Sequence, residues 1–192
     1  MNSCVGTFVP LFQYSNIPKF QNSKINMSNF KEQLRRVKAF VFDVDGVLSE
    51  QTMLLDTDGN LIRTSSIRDG YAIQRAKNKN YPVGIITGGE MTNVLKRYQK
   101  LGVKDIYLGS TNKRSDIIDF LKKYRIEASD VLYMGDDLPD LEVMKMVGFP
   151  TCPDDAVVEV KQLSKYVSNF TGGNGCVRDV IEQVLRLNKH WV

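Results

Sequence analysis

The chain has 192 residues, of which 42% are apolar and 25% charged, and a formal charge of +4 from 26 basic and 22 acidic side chains. This is the composition of one folded domain, not of a disordered chain or a fibre. No run approaches the ~20 apolar residues of a membrane helix, and the mild, mixed charge gives no basic, aromatic-studded patch for nucleic acid.

Residues 1–27 stand apart. They hold Lys19 and Lys24, no acidic residue, and many Asn, Ser and Pro. They read as a disordered extension, with Met27 as an alternative start, and residues 28–192 as a single domain. A signal peptide fits poorly, because no positive charge precedes the short apolar run that Pro10 interrupts. From residue 37 strands and helices alternate. Val37–Phe42 is β-branched and aromatic and reads as a buried strand. Thr52–Leu55 and Leu61–Ser65 flank Asp56-Thr57-Asp58-Gly59-Asn60 as a hairpin. A helix over Asp69–Lys79 is followed by a strand over Pro82–Thr87 that ends in Gly88-Gly89. Met91–Leu101 is helical and stops at Gly102. Asp105–Leu108 is a strand, Lys113–Tyr124 a helix, Val131–Met134 a strand and Leu138–Met146 a short helix. Val147–Cys152 and Lys165–Ser168 are outer strands. After Gly172-Gly173, an amphipathic helix carries Val177, Val180, Ile181, Val184 and Leu185 on one side. The alternation predicts a three-layer α/β fold with a mostly parallel sheet covered on both faces. Ligands in such folds bind at the carboxyl ends of the strands.

The polar residues collect at those ends. The first strand runs into Asp43-Val44-Asp45-Gly46, the second into Thr87-Gly88-Gly89 and the fourth into Gly135-Asp136-Asp137-Leu138-Pro139-Asp140. Lys113 opens the helix after the third. The one histidine, His190, excludes a His-based triad or a multi-His metal site within one chain, so any catalysis rests on carboxylates and lysine. The three cysteines, Cys4, Cys152 and Cys176, read as thiols of a reducing compartment. Two carboxylate clusters meeting at one point repel unless a cation lies between them. An oxygen-only ligand set favours Mg²⁺, which commonly bridges to a substrate phosphate. Thr87 and the backbone N–H groups after it suit phosphate oxygens, Lys113 suits phosphoryl charge, and an aspartate can attack phosphorus.

In this order and spacing, Asp43-x-Asp45, Thr87, Lys113 and Gly135-Asp136-Asp137-x-x-Asp140 resemble the haloacid dehalogenase (HAD) superfamily over roughly residues 37–187. Ile67-Arg68-Asp69-Gly70-Tyr71, Asn112-Lys113 and Gly172-Gly173-x-Gly175-x-x-Arg178 narrow the resemblance to the 3-deoxy-D-manno-octulosonate 8-phosphate (KDO 8-phosphate) phosphatases. The resemblance implies a Rossmann-like fold with a β-hairpin insertion. The gaps between motifs leave no room for a separate cap domain. It also implies a cytoplasmic, Mg²⁺-dependent phosphatase in lipopolysaccharide-sugar synthesis. Asp43 would be the nucleophile and Asp45 the acid and base, with Thr87 and Lys113 on the phosphoryl oxygens. Mg²⁺ would bind the Asp43 and Asp136 side chains and the Asp45 carbonyl, with Asp137 or Asp140 orienting that set. Arg68, Gly88, Gly89 and Arg178 are the candidate substrate contacts. Many members of the resembled family carry arginine where this chain has Gly89, and Arg68, Arg97 or Arg178 are the substitutes considered. The family forms homotetramers, which points to residues 52–65 as packing hairpins and residues 172–178 as a segment reaching an adjacent site. Competing readings are a phosphatase for nine-carbon keto-deoxy sugar phosphates, a phosphomutase, and a non-catalytic scaffold. Arg68-Asp69-Gly70 favours the eight-carbon substrate, and the intact motif set disfavours the scaffold.

Overall fold

A computed structural model describes residues 32–90 and 92–191. The expectations for residues 1–27 lie outside the described residues. The elements in chain order are β1 (Ala39–Phe42), β2 (Leu54–Leu55), β3 (Leu61–Ile62), α1 (Ile67–Asn78), β4 (Val83–Ile86), α2 (Thr92–Lys100) and β5 (Asp105–Tyr107). There follow α3 (Lys113–Tyr124), β6 (Val131–Met134), α4 (Leu141–Met144), β7 (Phe149–Cys152), α5 (Val158–Leu163), β8 (Tyr166–Val167) and α6 (Cys176–Leu187).

Six strands form one parallel sheet in the order β5-β4-β1-β6-β7-β8, and β2 pairs with β3 as a separate antiparallel hairpin. Side chains alternate across each strand, so the central strands feed two cores. Phe40, Phe42, Val83, Ile85, Leu132 and Met134 pack with Ile73 and Ala76 of α1 and with Val180, Ile181 and Val184 of α6. Ala39, Val41, Ile86, Val131 and Tyr133 pack with Ile117 and Phe120 of α3 and with Val143 of α4. Burial on both faces is why these strands read as continuous apolar runs. The chain leaves β1 towards β4 and β5, then returns to the other side of β1 for β6. The crevice between the carboxyl ends of β1 and β6 is therefore the place where such a sheet binds ligands.

The local expectations hold with instructive differences. The hairpin arms shrink to two residues each because Leu54, Leu55, Leu61 and Ile62 are exposed and pair only with each other. α1 starts two residues earlier than its periodicity indicates because the Ser66 side chain accepts from the Asp69 N–H as an N-cap. The stretch 138–146 divides into a 3₁₀ turn over Leu138–Asp140, holding Pro139, and the short α4. α5 is a short helix of six residues whose one fully buried residue is Val160, with Leu163 partly buried against the same core. After β1 the chain makes a single wide turn over Val44–Leu48, closed by the Ser49 N–H on the Val44 carbonyl at 2.9 Å, with Gly46 at φ +80°.

The start of α6 is capped from a distance. Gly175 sits at its N-cap and has no side chain to satisfy the first N–H groups. Asp69 of α1, buried to 1% exposure, supplies the missing acceptor: its carboxylate takes the Gly175 N–H at 3.2 Å and the Arg178 N–H at 2.6 Å. Asp69→Ala leaves those donors buried and unpaired, at a cost of about 1–3 kcal/mol. The expected result is a melting temperature lower by roughly 3–10 °C for a chain of this size, read by thermal denaturation. An unchanged midpoint would show that the cap is dispensable.

Candidate active site

β1 and β6 run in register, Phe42 beside Met134, and the Asp43 N–H donates to the Met134 carbonyl at 3.0 Å. Asp43 and Asp136 are thereby brought to one point at the strand ends. Lys113 reaches them from the first position of α3, whose N-cap Asn112 accepts from the Ser115 N–H. Its ammonium lies 2.7 Å from Asp43 Oδ2 and 2.8 Å from Asp140 Oδ1, with the lysine side chain only 9% exposed. Asp140, fully buried, is the fixed post of the site. It accepts from Lys113, from the Tyr133 hydroxyl at 2.6 Å and from the Asp136 N–H at 3.0 Å. Asp137, by contrast, is exposed and spends its carboxylate on the Leu138 N–H at 2.8 Å. Of the two aspartates left open by the sequence, Asp140 is the one that orders the site.

Burial dominates the electrostatics. Burial, with the Asp140 carboxylate beside it, pushes Asp43 up to about 8 against the pull of Lys113. Burial, with Asp140 and Asp137, pushes Asp136 up to about 7. Burial alone would lower Lys113, but the facing Asp43 and Asp140 carboxylates outweigh it and hold the ammonium above its ordinary value. One oxygen each of Asp43, Asp136 and Asp140 lie within 4.8 Å of one another. Such a crowded, buried, all-oxygen set fits a hard divalent cation, which would restore the charged form of carboxylates that burial disfavours. The close approach is possible because residue 46 is glycine: a β-carbon there would overlap the Asp136 carboxylate.

Asp43, Asp45, Thr87, Gly88, Gly89, Lys113 and Asp136 all line one cavity of ≈ 940 Å³. Thr87, buried at the end of β4, accepts the Gly89 N–H on its hydroxyl at 3.1 Å. Arg68 and Arg178 do not join this group within the chain. They line a second cavity of ≈ 590 Å³, where the Arg178 Nε donates to Glu182 at 2.9 Å and its guanidinium lies over the Trp191 ring. Arg97 donates to the Ser65 hydroxyl. The Gly172-Gly173 segment supports its own chain's nucleophile turn. The Gly173 N–H donates to the Val47 carbonyl at 2.8 Å, and Gly172 lies so close to the Gly46 carbonyl that a β-carbon would overlap it.

Sequence reasoning missed Arg63. It leaves the end of the hairpin and forms a two-pronged ion pair with Asp45 through Nε and Nη2. Its only sequence signal was an arginine directly after an apolar hairpin arm. Gln51 was missed as well; its amide donates to the Asp155 carbonyl at 3.0 Å beside Asp136.

Comparison with known proteins agrees with this geometry. The haloacid dehalogenase-like hydrolase family matches residues 104–180. A 3-deoxy-D-manno-octulosonate 8-phosphate phosphatase of Salmonella typhi is 36% identical over 149 residues, 78% of this chain and 79% of its own. One from Haemophilus influenzae is 28% identical over 156 residues, 81% of this chain and 87% of its own. The crystal structure of the Moraxella catarrhalis enzyme of that name, in complex with magnesium, phosphate and KDO, superimposes with a TM-score of 0.82. It is 32% identical and covers 86% of this chain and 95% of its own.

Proposed function

This chain belongs to the 3-deoxy-D-manno-octulosonate 8-phosphate phosphatase family of haloacid dehalogenase-like hydrolases, and from that membership we propose that it hydrolyses KDO 8-phosphate to KDO and phosphate through an aspartyl-phosphate on Asp43. The observation that carries the chemistry is the Lys113 ammonium between Asp43 and Asp140, beside Asp136, at the floor of the cavity.

The Asp43 and Asp136 side chains and the Asp45 carbonyl would hold Mg²⁺, with Asp140 ordering them. When bound, the ion offsets the carboxylate charge and that of the transferring phosphoryl group. Asp43 attacks phosphorus in line with the departing sugar oxygen. Lys113, on Asp43 Oδ2, holds the nucleophile in place and is positioned to neutralise phosphoryl oxygens, with Thr87 on their other side. Asp45 gives its proton to the leaving alkoxide. It then takes a proton from the water that cleaves the aspartyl-phosphate, which returns both carboxylates to their starting state. Between Asp43 and Thr87 the chain builds only the hairpin and α1, with no cap domain. Water reaches the acyl-phosphate, which favours hydrolysis over transfer to a second sugar.

The test is phosphate release from KDO 8-phosphate with Mg²⁺ and with EDTA, beside nine-carbon keto-deoxy sugar phosphates. Mg²⁺-dependent hydrolysis selective for KDO 8-phosphate is expected, with activity abolished by the chelator. Equal rates on the nine-carbon esters would keep the phosphatase and reject the substrate. No turnover of any ester by folded, metal-supplied protein would move the chain to the scaffold reading.

The reading includes a cytoplasmic homotetramer. Leu54 and Leu55 are 64% and 66% exposed on the hairpin, together with Leu61 and Ile62. Four large apolar side chains on one small hairpin mark an interaction surface. Replacing Leu54 and Ile62 by Glu is expected to lower the mass measured by light scattering. An unchanged mass would place the subunit contacts elsewhere.

A further inference from the structure

Arg63 stands behind Asp45 and Gly89 in the wall of the cavity, the reaction so far leaves it unused, and its surroundings are specific. Its side chain is 7% exposed, although it stems from an exposed hairpin. Its guanidinium meets both oxygens of Asp45, Nη2 to Oδ2 at 2.8 Å, while the Ser49 hydroxyl also donates to Oδ1 at 3.4 Å. On its other side lies Gly89, where a β-carbon would stand 2.9 Å from Nη2. The bare glycine is what admits the guanidinium against the cavity wall. The Asp45 carboxylate, 31% exposed, opens to the cavity beside it.

This arrangement conflicts with the work Asp45 has to do. To protonate a leaving oxygen it must turn a carboxylate oxygen towards the substrate, and both are held by Arg63. The pair therefore opens during turnover. A two-pronged guanidinium–carboxylate pair does not open freely when its guanidinium is buried, because the arginine would be left unpaired away from water. The natural exchange is with a second carboxylate. An octulosonate phosphate brings two anions. The phosphoryl end goes to Thr87 and Lys113, and the sugar, leaving past Asp45, carries the other. Arg114 also lines the cavity, but it is exposed, and a solvated rim charge discriminates weakly.

We propose that Arg63 is the specificity-determining residue for the carboxylate of the substrate: it rests on Asp45 in the free enzyme, passes to the carboxylate of the sugar acid on binding, and so releases Asp45 for proton transfer to the leaving oxygen. The exchange itself makes and breaks no covalent bond, and Asp45, ionised while it is paired, takes up a proton from solvent water once released and carries that proton to the leaving oxygen. One carboxylate replaces another on the same guanidinium. A sugar phosphate without a carboxylate leaves the pair closed and is a poor substrate even where it fits. This rests on the phosphatase reading.

Wild type, Arg63→Gln and Arg63→Lys are compared on KDO 8-phosphate, on ribose 5-phosphate as a carboxylate-free sugar ester, and on p-nitrophenyl phosphate. Circular dichroism establishes that each variant is folded. In Arg63→Gln, kcat/KM for KDO 8-phosphate is expected to fall about 10- to 100-fold, chiefly through KM. kcat/KM for ribose 5-phosphate is expected not to fall in this variant, because no guanidinium holds Asp45 closed, so that selectivity between the two sugars collapses. Arg63→Lys restores part of it, because lysine keeps the charge and loses the fork. Equal losses on all three esters would overturn the proposal in favour of a merely structural hairpin contact. Unchanged selectivity would overturn it in favour of another cation, with Arg114→Gln as the next variant. A wild type that hydrolyses none of the esters refutes the phosphatase reading instead. Calorimetric titration with KDO and with its methyl ester then tests Arg63 by itself. The wild type should prefer the acid and Arg63→Gln should not, and an equal preference in both would exclude carboxylate recognition by this residue.

Discussion

Asp43→Asn is expected to lower turnover of KDO 8-phosphate by roughly four orders of magnitude or more without loss of the folded state. The amide keeps the shape of the side chain but cannot form the acyl-phosphate. The fold tolerates the change because Asp43 contributes no favourable buried charge. Burial pushes its carboxyl up to about 8, so folding is opposed by the ionised form. The sign follows from linkage: a carboxyl raised in the folded state costs stability progressively as pH rises from its ordinary value towards about 8. The asparagine variant should therefore melt at or above the wild-type temperature in metal-free buffer at pH 8, and the difference should shrink towards pH 5. Lys113 retains Asp140 at 2.8 Å as a partner, so the substitution does not strand a buried ammonium. Phosphate release and thermal denaturation on the same preparation test both halves. Appreciable turnover would transfer the nucleophile's role to another carboxylate, and a collapse in melting temperature would show that the Asp43–Lys113 pair holds the fold.

What the sequence reveals about this site is what lies next to a strand end. The motifs at Asp43, Thr87 and Asp136 each follow a buried apolar run, and a parallel sheet necessarily delivers such positions to one edge. Lys113 was readable because it opens the helix that follows the third strand, and the structure adds that Asn112 caps that helix. These are local signals, and the sheet converts them into a shared address. The Lys113–Asp140 contact, joining residues 27 positions apart, has no such local signal. Gly135-Asp136-Asp137-Leu138-Pro139-Asp140 offers three similar carboxylates, and only the turn geometry sends Asp137 to solvent and Asp140 to full burial.

Arg63 shows the limit more sharply. It contacts Asp45 across 18 residues, from a hairpin whose arms are too short and too exposed to reveal which way a following side chain points. Arg68 and Arg178 had stronger sequence signals, since both sit in distinctive segments, yet they line a different cavity. The reason is that those segments bind each other. Asp69 caps α6 at Gly175 and Arg178, and Gly70 leaves room for Arg97, whose Nη2 would lie 2.6 Å from a β-carbon there. The Arg-Asp-Gly segment thus marks the scaffold that holds the final helix.

Gly46→Ala is expected to damage the site severely although it removes no functional group. Two costs meet at this position. Gly46 has φ +80°, where an L-residue loses about 1–2 kcal/mol. Its new β-carbon would also occupy the place of the Asp136 carboxylate, and the nucleophile turn cannot retreat because Gly172 is packed directly on the Gly46 carbonyl. Asp136 must therefore move away from Asp43, which spreads the acidic set proposed to hold Mg²⁺. A displacement of about 1 Å in such a site costs on the order of a hundredfold in rate, so kcat/KM should fall at least that far. The Mg²⁺ concentration for half-maximal activity should rise with it. Gly59→Ala separates the two costs. Gly59, at the hairpin tip, also has φ +80°, but nothing lies within 4 Å of its β-carbon position. It should lose a similar amount of stability to backbone strain and keep its Mg²⁺ requirement. If both variants lost the same modest stability and neither changed its Mg²⁺ dependence, Asp136 would not be the metal ligand this geometry makes it.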